Sequence, residues 1–154
     1  MRARPDTLQT FTWELRRSFR DLGEAADTEL QPLGLTVGDR ALLEFLSRED
    51  RPVSMAALAR TYGVSRQHIH QSLRRPPLDA SVDEYTDPDD GRSVLISLNA
   101  KGRGVWKRIQ SVDAAFFDSL AHAFTQEEIQ QAHQVLRKLR ATLFARKELP
   151  CVRD

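Results

Sequence analysis

The chain has 154 residues, a length that favours one domain with its own core over two. Lys and Arg total 23 and Asp and Glu total 22, and the net charge of +1 speaks, at face value, against a nucleic-acid partner. The single cysteine, Cys151, excludes an internal disulfide and a cysteine-based zinc site. No signal peptide and no apolar run of membrane-spanning length is apparent, so we expect a soluble cytoplasmic protein with no membrane partner.

The charges are nevertheless segregated along the middle of the chain. Residues 51–78 contain five Arg and no acidic residue, residues 79–90 contain six acidic residues and no basic one, and residues 91–112 contain five basic residues and no acidic one. Blocks of one sign in a globular chain indicate a field that acts on a partner or, alternatively, a solvated face. The middle third is therefore the candidate binding region.

The first fifty residues predict two amphipathic helices. A capping box at Asp6 and Gln9, followed by apolar residues at spacings of three and four, predicts one long helix that ends near Leu30. Thr36, with Asp39 at the third helical position, is a suitable N-cap for a second helix. The residues expected to face inward on the second helix are Val37, Leu42 (or Ala41), Phe45 and Leu46.

Two short helices follow. Ser54 opens a helix over Met55–Tyr62, Gly63 ends it, and Ser65 caps a fourth helix over Arg66–Arg75. Because glycine adopts the left-handed conformation without strain, the chain can turn sharply here, and the pair predicts a helix-turn-helix. The residues expected to bury the second of these helices against Leu58 are Val64, Ile69 and Leu73.

A hairpin and two further helices complete the prediction. Residues 80–86 and 93–98 are strand-like and flank the turn-rich segment Asp87–Arg92. Asn99 caps a fifth helix, and Thr125 with Glu128 forms a capping box for a sixth. We therefore predict a mainly α fold with a small β-hairpin, in the order α-α-α-α-β-β-α-α.

The outward face of the predicted fourth helix carries polar side chains and no carboxylate. Arg can bond guanine O6 and N7, Gln can bond adenine N6 and N7, and Ser can reach a phosphate or a base edge. This pattern favours a helix that reads the major groove of double-stranded DNA over an ordinary surface helical hairpin. The candidate DNA contacts are Arg66, Gln67, His70 and Gln71 for base edges, Ser54 and Thr61 for phosphates, and Ser65, His68, Arg74 and Arg75 beside them.

A hairpin directly after such a helix is the wing of a winged helix. Arg92 lies just past the predicted tip, where it can enter the minor groove, whose negative potential attracts a guanidinium group. Asp90, two residues earlier, is expected to orient Arg92. The alternative for Arg92 is a solvent-exposed turn residue.

These features resemble the multiple-antibiotic-resistance regulator (MarR) family. The resemblance covers nearly the whole chain and includes the order of elements, the helix-turn-helix, the wing residues Asp90–Arg92 and the segment Leu98–Gly102. Asn99 stands where the family usually has Thr, and Arg74–Asp79 replaces the usual glycine-containing link into the wing. The resemblance implies a single MarR-like domain over 1–154, a winged helix-turn-helix lobe over 52–103, and dimerisation helices over 6–31 and 104–147.

The same resemblance implies a homodimeric transcription regulator, a repressor rather than an activator, that binds a pseudo-palindromic operator. Long apolar stripes on the first, fifth and sixth helices support the homodimer independently, unless these helices pack only within the subunit. The resemblance also implies a small aromatic or lipophilic effector, although aromatic residues on helices are ordinary core residues too. The candidate effector contacts are Trp13, Arg16, Arg17, Phe45 and Trp106.

Other classes receive no support from the sequence. His68 and His70 project about 200° apart on a helix, so they cannot chelate one metal. No phosphate-binding glycine loop or nucleophile elbow is present, so we expect no enzyme, no cofactor and no metal. Cys151 is not in the first helix, where oxidant-sensing relatives carry their reactive cysteine. Two alternatives remain for the function: a winged-helix protein-interaction module and a non-specific architectural DNA binder.

Overall fold

The computed structural model describes residues 3–148. Within that range the predicted α-α-α-α-β-β-α-α order is confirmed, with one additional short strand before the third helix. Three-residue 3₁₀ turns at Gln31–Leu33 and Leu78–Ala80 connect some of the elements. The elements are α1 Pro5–Leu30, α2 Val37–Arg48, β1 Val53–Ser54, α3 Met55–Tyr62, α4 Arg66–Leu73, β2 Val82–Thr86, β3 Val94–Leu98, α5 Ala100–Ala121 and α6 Gln126–Glu148.

The start of α1 differs from the prediction. Its N-cap is Arg4, and Pro5 occupies the first helical position, where its fixed φ suits a helix and its missing N–H costs nothing. The carboxylate of Asp6 accepts a hydrogen bond from the adjacent Thr7 backbone N–H (2.8 Å), so the predicted box with Gln9 is wrong.

The start of α2 confirms the prediction. Thr36 Oγ1 accepts from the backbone N–H of Asp39 (3.2 Å), and Asp39 Oδ2 accepts from the backbone N–H of Thr36 (3.0 Å), a complete capping box. Leu42 and Leu46 are buried as expected, and the neighbouring Leu43 is completely buried. The Asp39 residue is itself only 4% exposed.

The three strands form one antiparallel sheet in the order β1-β3-β2. The predicted hairpin pairs Val82 with Leu98 and Thr86 with Val94, which fixes the register of the wing. β1 adds only two residues, Val53 and Ser54, opposite β3. A strand this short has no readable alternation, and for this reason the sequence does not predict it.

The chain divides into two compact units after Asp113. The hydrophobic core lies wholly in the first unit, and no residue of the described part of the second unit, 114–146, is buried. No helix within residues 3–148 is at once long enough and apolar enough to cross a lipid bilayer. The core residues are Leu30, Leu35, Leu42, Leu43, Leu46, Leu58, Ala59, Ile69, Leu73, Leu78, Val82, Ile96, Leu98 and Ile109.

Candidate nucleic-acid interface

The helix-turn-helix is built by two serine caps and one glycine. Ser54 Oγ accepts from the backbone N–H of Ala57 (3.2 Å), and Ser65 Oγ accepts from that of His68 (3.1 Å). Gly63 has φ of +64°, the left-handed conformation that ends α3. The sequence prediction for all three residues is confirmed, and both serine hydroxyls keep a proton to donate to a phosphate.

The packing of α4 follows the prediction with two corrections. Ile69 and Leu73 are buried together with Leu58, as expected. Val64 is 37% exposed, because it lies in the turn before the helix rather than on its inner face. α4 ends at Leu73, with Arg74 as C-cap, two residues before the predicted end at Arg75.

The structure brings most of the predicted DNA contacts to one exposed helix. Thr61 is exposed near the end of α3, and Ser54 is half-buried at its start. Two exposed arginines that the sequence analysis did not select, Arg51 and Arg60, lie before β1 and on α3. Both belong to the segment 51–78, whose lack of acidic residues is the sequence feature that could have identified them. The residues exposed on α4 and its N-cap are Ser65, Arg66, Gln67, His68, His70 and Gln71.

The two arginines that follow α4 are engaged within the chain. Arg74 Nη2 lies 3.2 Å from Glu84 Oε2 on β2. Arg75 Nη2 donates to Asp39 Oδ1 on α2 (3.1 Å). These pairs join the end of α4 to the wing and to α2. Arg74 and Arg75 therefore differ from the predicted contacts on α4 in being paired with a carboxylate of another element.

The wing carries Arg92 on its exposed surface, just past the turn. Asp90 Oδ1 accepts from the backbone N–H of Arg92 (3.2 Å), and Asp87 Oδ1 accepts from the backbone N–H of Asp89 (3.0 Å). The prediction that Asp90 orients the Arg92 side chain is therefore corrected: Asp90 bonds the backbone of the turn and not the guanidinium.

The residues predicted to contact an effector lie in different environments. Trp13 is 57% exposed on α1, where Arg16 and Arg17 are also exposed. Phe45 packs edge-to-face on Tyr62, with ring centroids 6.1 Å apart. Trp106 lies under the guanidinium of Arg40, which is 5.9 Å from its ring centroid.

Arg40 is the centre of an ionic cluster between α2 and α5. Its Nη2 donates to Asp113 Oδ2 at 2.6 Å, and its Nη1 donates to Glu44 Oε2 at 2.8 Å. The hydrogen bond with Asp113 raises the pKa of Arg40 above its ordinary value, the charges of both carboxylates add to this, and burial opposes it. Arg40 thus stays charged and holds Trp106 in a structural contact.

A cavity of about 320 Å³ lies between α2 and the helix-turn-helix. Its wall includes apolar residues of both parts, Tyr62 and the Asp39–Arg75 pair. Tyr62 donates to the backbone oxygen of Ala41 (2.5 Å), and burial raises the pKa of its phenol. The lining residues are Thr36, Gly38, Asp39, Ala41, Leu42, Tyr62, Val64, His68, Ile69, Ser72 and Arg75.

Within residues 3–148, no group of three or more His, Cys, Asp and Glu residues is arranged to hold a metal ion. Cys151 lies outside the described residues.

Comparison with known proteins identifies relatives of the same architecture. No protein-family model matches the chain. Over 110 residues it is 31% identical to the HTH-type transcriptional repressor Rv2887 of Mycobacterium tuberculosis (strain ATCC 25618 / H37Rv), an alignment that covers 71% of this chain and 78% of that protein. The HTH-type transcriptional repressor Mb2911 of Mycobacterium bovis gives the same values.

Solved structures agree. The crystal structure of the MarR family transcription regulator SP03579 superposes with a TM-score of 0.79 at 25% identity, covering 94% of this chain and 95% of that one. The S. aureus MepR–DNA complex, at 17% identity, shares the fold with a TM-score of 0.73 and covers 86% of this chain and 97% of that one.

A serine-capped helix-turn-helix followed by a paired β-hairpin places the chain in the winged-helix class of proteins. The 31% sequence identity to a transcriptional repressor and the superposition on a MarR-family regulator identify the family within that class. The chain belongs to the MarR family of DNA-binding transcription regulators.

Proposed function

We propose that the chain is a sequence-specific repressor that binds a pseudo-palindromic operator as a homodimer. The observation that carries the proposal is the exposed face of α4, which presents Arg66, Gln67, His70 and Gln71 without a carboxylate among them. Arg and Gln are the side chains that make bidentate contacts with guanine and adenine in the major groove. The relatives named as transcriptional repressors support the direction of the regulation.

Around this face we assign contacts to the DNA backbone and to the minor groove. Ser54 and Ser65 lie at the starts of α3 and α4, where free backbone N–H groups and the helix dipole favour a phosphate. Thr61 and the exposed His68 complete the phosphate side of the interface. Arg92 enters the minor groove from the wing, where a narrow groove attracts an arginine.

The homodimer is supported by apolar side chains that the chain leaves in water. Phe19 is 79% exposed on α1, and Phe144 is 65% exposed on α6. Apolar surface of this extent on a soluble chain marks an interface. We therefore assign residues 6–31 and 104–147 to dimerisation and 52–103 to the DNA-binding lobe, with half-site centres about 10 base pairs apart or a multiple of that spacing.

A small aromatic or lipophilic effector would release the protein from DNA by preferring one spacing of the two recognition helices over the other. The predicted contacts Trp13, Arg16, Arg17, Phe45 and Trp106 remain candidates for this site. The packing of Phe45 and Trp106 described above means that an effector there must displace existing contacts.

Selection of bound duplexes from a random double-stranded DNA pool tests the proposal. The expected result is a two-fold symmetric consensus. Equal recovery of all sequences, with a steep salt dependence, would identify an architectural DNA binder instead. No binding at modest salt would favour a winged-helix module that contacts proteins.

Two variants test the assignment of the contacts on the selected duplex. Arg66→Ala should weaken binding by about 1–3 kcal/mol and relax specificity at one position of each half-site. Arg92→Ala should weaken binding more evenly across sequences. If both variants bind the selected duplex as tightly as the wild type, α4 and the wing do not dock as proposed.

Phe144→Asp tests the dimer. It should produce monomers in analytical ultracentrifugation and lower operator affinity by about 10²-fold or more, because the second half-site then contributes no avidity. Gln134→Asp, an exposed position on the same helix with the same added charge, is the matched control and should remain dimeric. An undisturbed dimer with Phe144→Asp would remove α6 from the interface.

A further inference from the structure

The arginines at the two ends of the recognition helix have different surroundings. Arg66 lies on the exposed face at the start of α4. Arg74 and Arg75 lie at its other end, and each is paired with a carboxylate from another element. An arginine held in this way is less available to a phosphate than a free one, and how much less depends on its partner.

The carboxylate that pairs with Arg75 is much more buried than the one that pairs with Arg74. In the Arg74–Glu84 pair both side chains are in contact with water, 59% and 35% exposed, and such pairs are weak. In the Arg75–Asp39 pair the carboxylate side chain is only 6% exposed. A buried carboxylate that loses its counter-charge is strongly unfavourable, so the folded lobe favours keeping Arg75 on Asp39.

Asp39 uses its two oxygens for two different purposes. Oδ2 accepts from the backbone N–H (3.0 Å) and the hydroxyl (2.8 Å) of Thr36, which fixes the carboxylate at the start of α2. Oδ1 is left for Arg75. The carboxylate is therefore rigidly held on α2, and the position of the Arg75 side chain follows from it.

A hydrogen bond also connects the start of α2 to α1. The backbone N–H of Val37, the first residue of α2, donates to Asp27 Oδ1 on α1 (2.7 Å). Polar contacts therefore anchor the start of α2 both to α1 and, through Asp39, to Arg75 after the recognition helix.

We propose that Arg75 is a positioning residue, which sets the placement of the recognition helix on α2 through Asp39, and not a phosphate contact. This role rests on the proposed DNA binding and differs from the DNA contact that the sequence predicts for Arg75.

A phosphate contact and a positioning role for Arg75 predict opposite changes in DNA affinity for the substitution Asp39→Asn. If Arg75 binds a phosphate, Asp39→Asn releases it and removes a negative charge beside the DNA, so binding becomes tighter. If Arg75 positions α4, Asp39→Asn loosens the recognition helix and binding becomes weaker. The slope of log K against log salt gives a second distinction, because losing one phosphate contact per half-site lowers its magnitude by about two for the dimer, whereas losing a positioning contact leaves it unchanged.

The experiment measures binding of the selected duplex by fluorescence anisotropy over a series of salt concentrations. We expect Asp39→Asn and Arg75→Gln each to weaken binding about tenfold at constant slope, and the double variant to be no weaker than the worse single one, since coupled partners are not additive. Arg75→Lys, which keeps the charge, should recover part of the affinity. Arg48→Gln removes another exposed arginine that pairs with an α2 carboxylate, Glu44, and should bind as the wild type does.

Tighter binding by Asp39→Asn, or a slope reduced by about two in Arg75→Gln, one for each half-site, would overturn the proposal. Wild-type affinity in both variants would overturn it as well. If a single variant does not fold, the double variant decides the question by its slope, because it leaves no unpaired charge on the buried Asp39 side chain. Failure of the wild type to bind any duplex would instead refute the proposed function, and it would do so before a variant is compared.

Discussion

The two units of the chain differ in whether they bury a hydrophobic core. The unit that ends at Asp113 buries fourteen hydrophobic residues in one core. In the described part of the other unit, Phe117, Phe124, Ile129, Leu143 and Phe144 are each at least half exposed. A core that is complete within one chain stabilises its unit directly, whereas apolar surface left in water indicates a partner. The first unit thus has a core of its own, whereas the C-terminal helices, like Phe19 of α1, carry apolar surface that the proposed homodimer would cover.

A pair of equal substitutions tests this contrast with the largest expected effect. Leu43 is completely buried in the first unit, and Leu143 is 51% exposed in the second. Leu43→Ala should lower the free energy of unfolding by about 2–5 kcal/mol at every protein concentration. Leu143→Ala should leave the unfolding of the lobe unchanged and weaken the dimer. Urea unfolding at two protein concentrations measures both effects, and equal losses would contradict the contrast.

Close packing in the first unit gives the next largest effect. A Cβ atom on Gly102, in the first turn of α5, would lie 2.1 Å from the backbone oxygen of Ser81 and 2.5 Å from Leu98 Cδ1. Gly102→Ala must therefore move α5 away from the wing, and we expect a loss of about 1–3 kcal/mol in urea unfolding.

Gly104→Ala is the matched control for that substitution. A Cβ atom there meets nothing within 4 Å, so helix propensity alone should stabilise α5 by about 0.5–1 kcal/mol. The same unfolding free energy for both variants would mean that α5 does not pack against the wing as described.

Tyr62→Phe should have a smaller effect in the same unit. It removes the hydrogen bond to the Ala41 oxygen, which should lower the free energy of unfolding by about 1 kcal/mol. Because burial raises the pKa of the phenol, the unfolded chain ionises first as the pH rises through about 10, and this contribution to stability is lost there. The variant should lack that alkaline loss, which unfolding at pH 8 and pH 11 can measure.

The features that the sequence predicted correctly are local. The capping residues Thr36, Ser54 and Ser65 each bond a backbone group three residues ahead, and Gly63 needs only its own φ. The polar face of α4 was also readable, because its exposure follows from the helical period once Ile69 is placed inside.

The features that the sequence did not predict depend on distant parts of the chain. Asp39 was recognised as a capping residue, but its second partner, Arg75, lies 36 positions away, and Asp113 lies 73 positions from Arg40. Likewise, no local pattern announces that a two-residue strand will pair with β3. For the candidate interface, the sequence therefore predicts which side chains are exposed. It does not predict which of the arginines form ion pairs with carboxylates of other elements.

The smallest expected effect concerns the start of α6, where the second unit relies on local bonds rather than on a core. Hydrogen bonds from the backbone and side chain of Thr125 lower the pKa of Glu128 below its ordinary value. The unfolded chain therefore takes up this proton first as the pH falls through about 4.3, so the capping contribution is present above that pH and is lost in acid. Thr125→Ala should raise the pKa of Glu128 and fray the first turn of α6 at neutral pH, both visible by NMR. A pKa of Glu128 that does not change in this variant would mean that the second unit is held at this point by something other than its capping box.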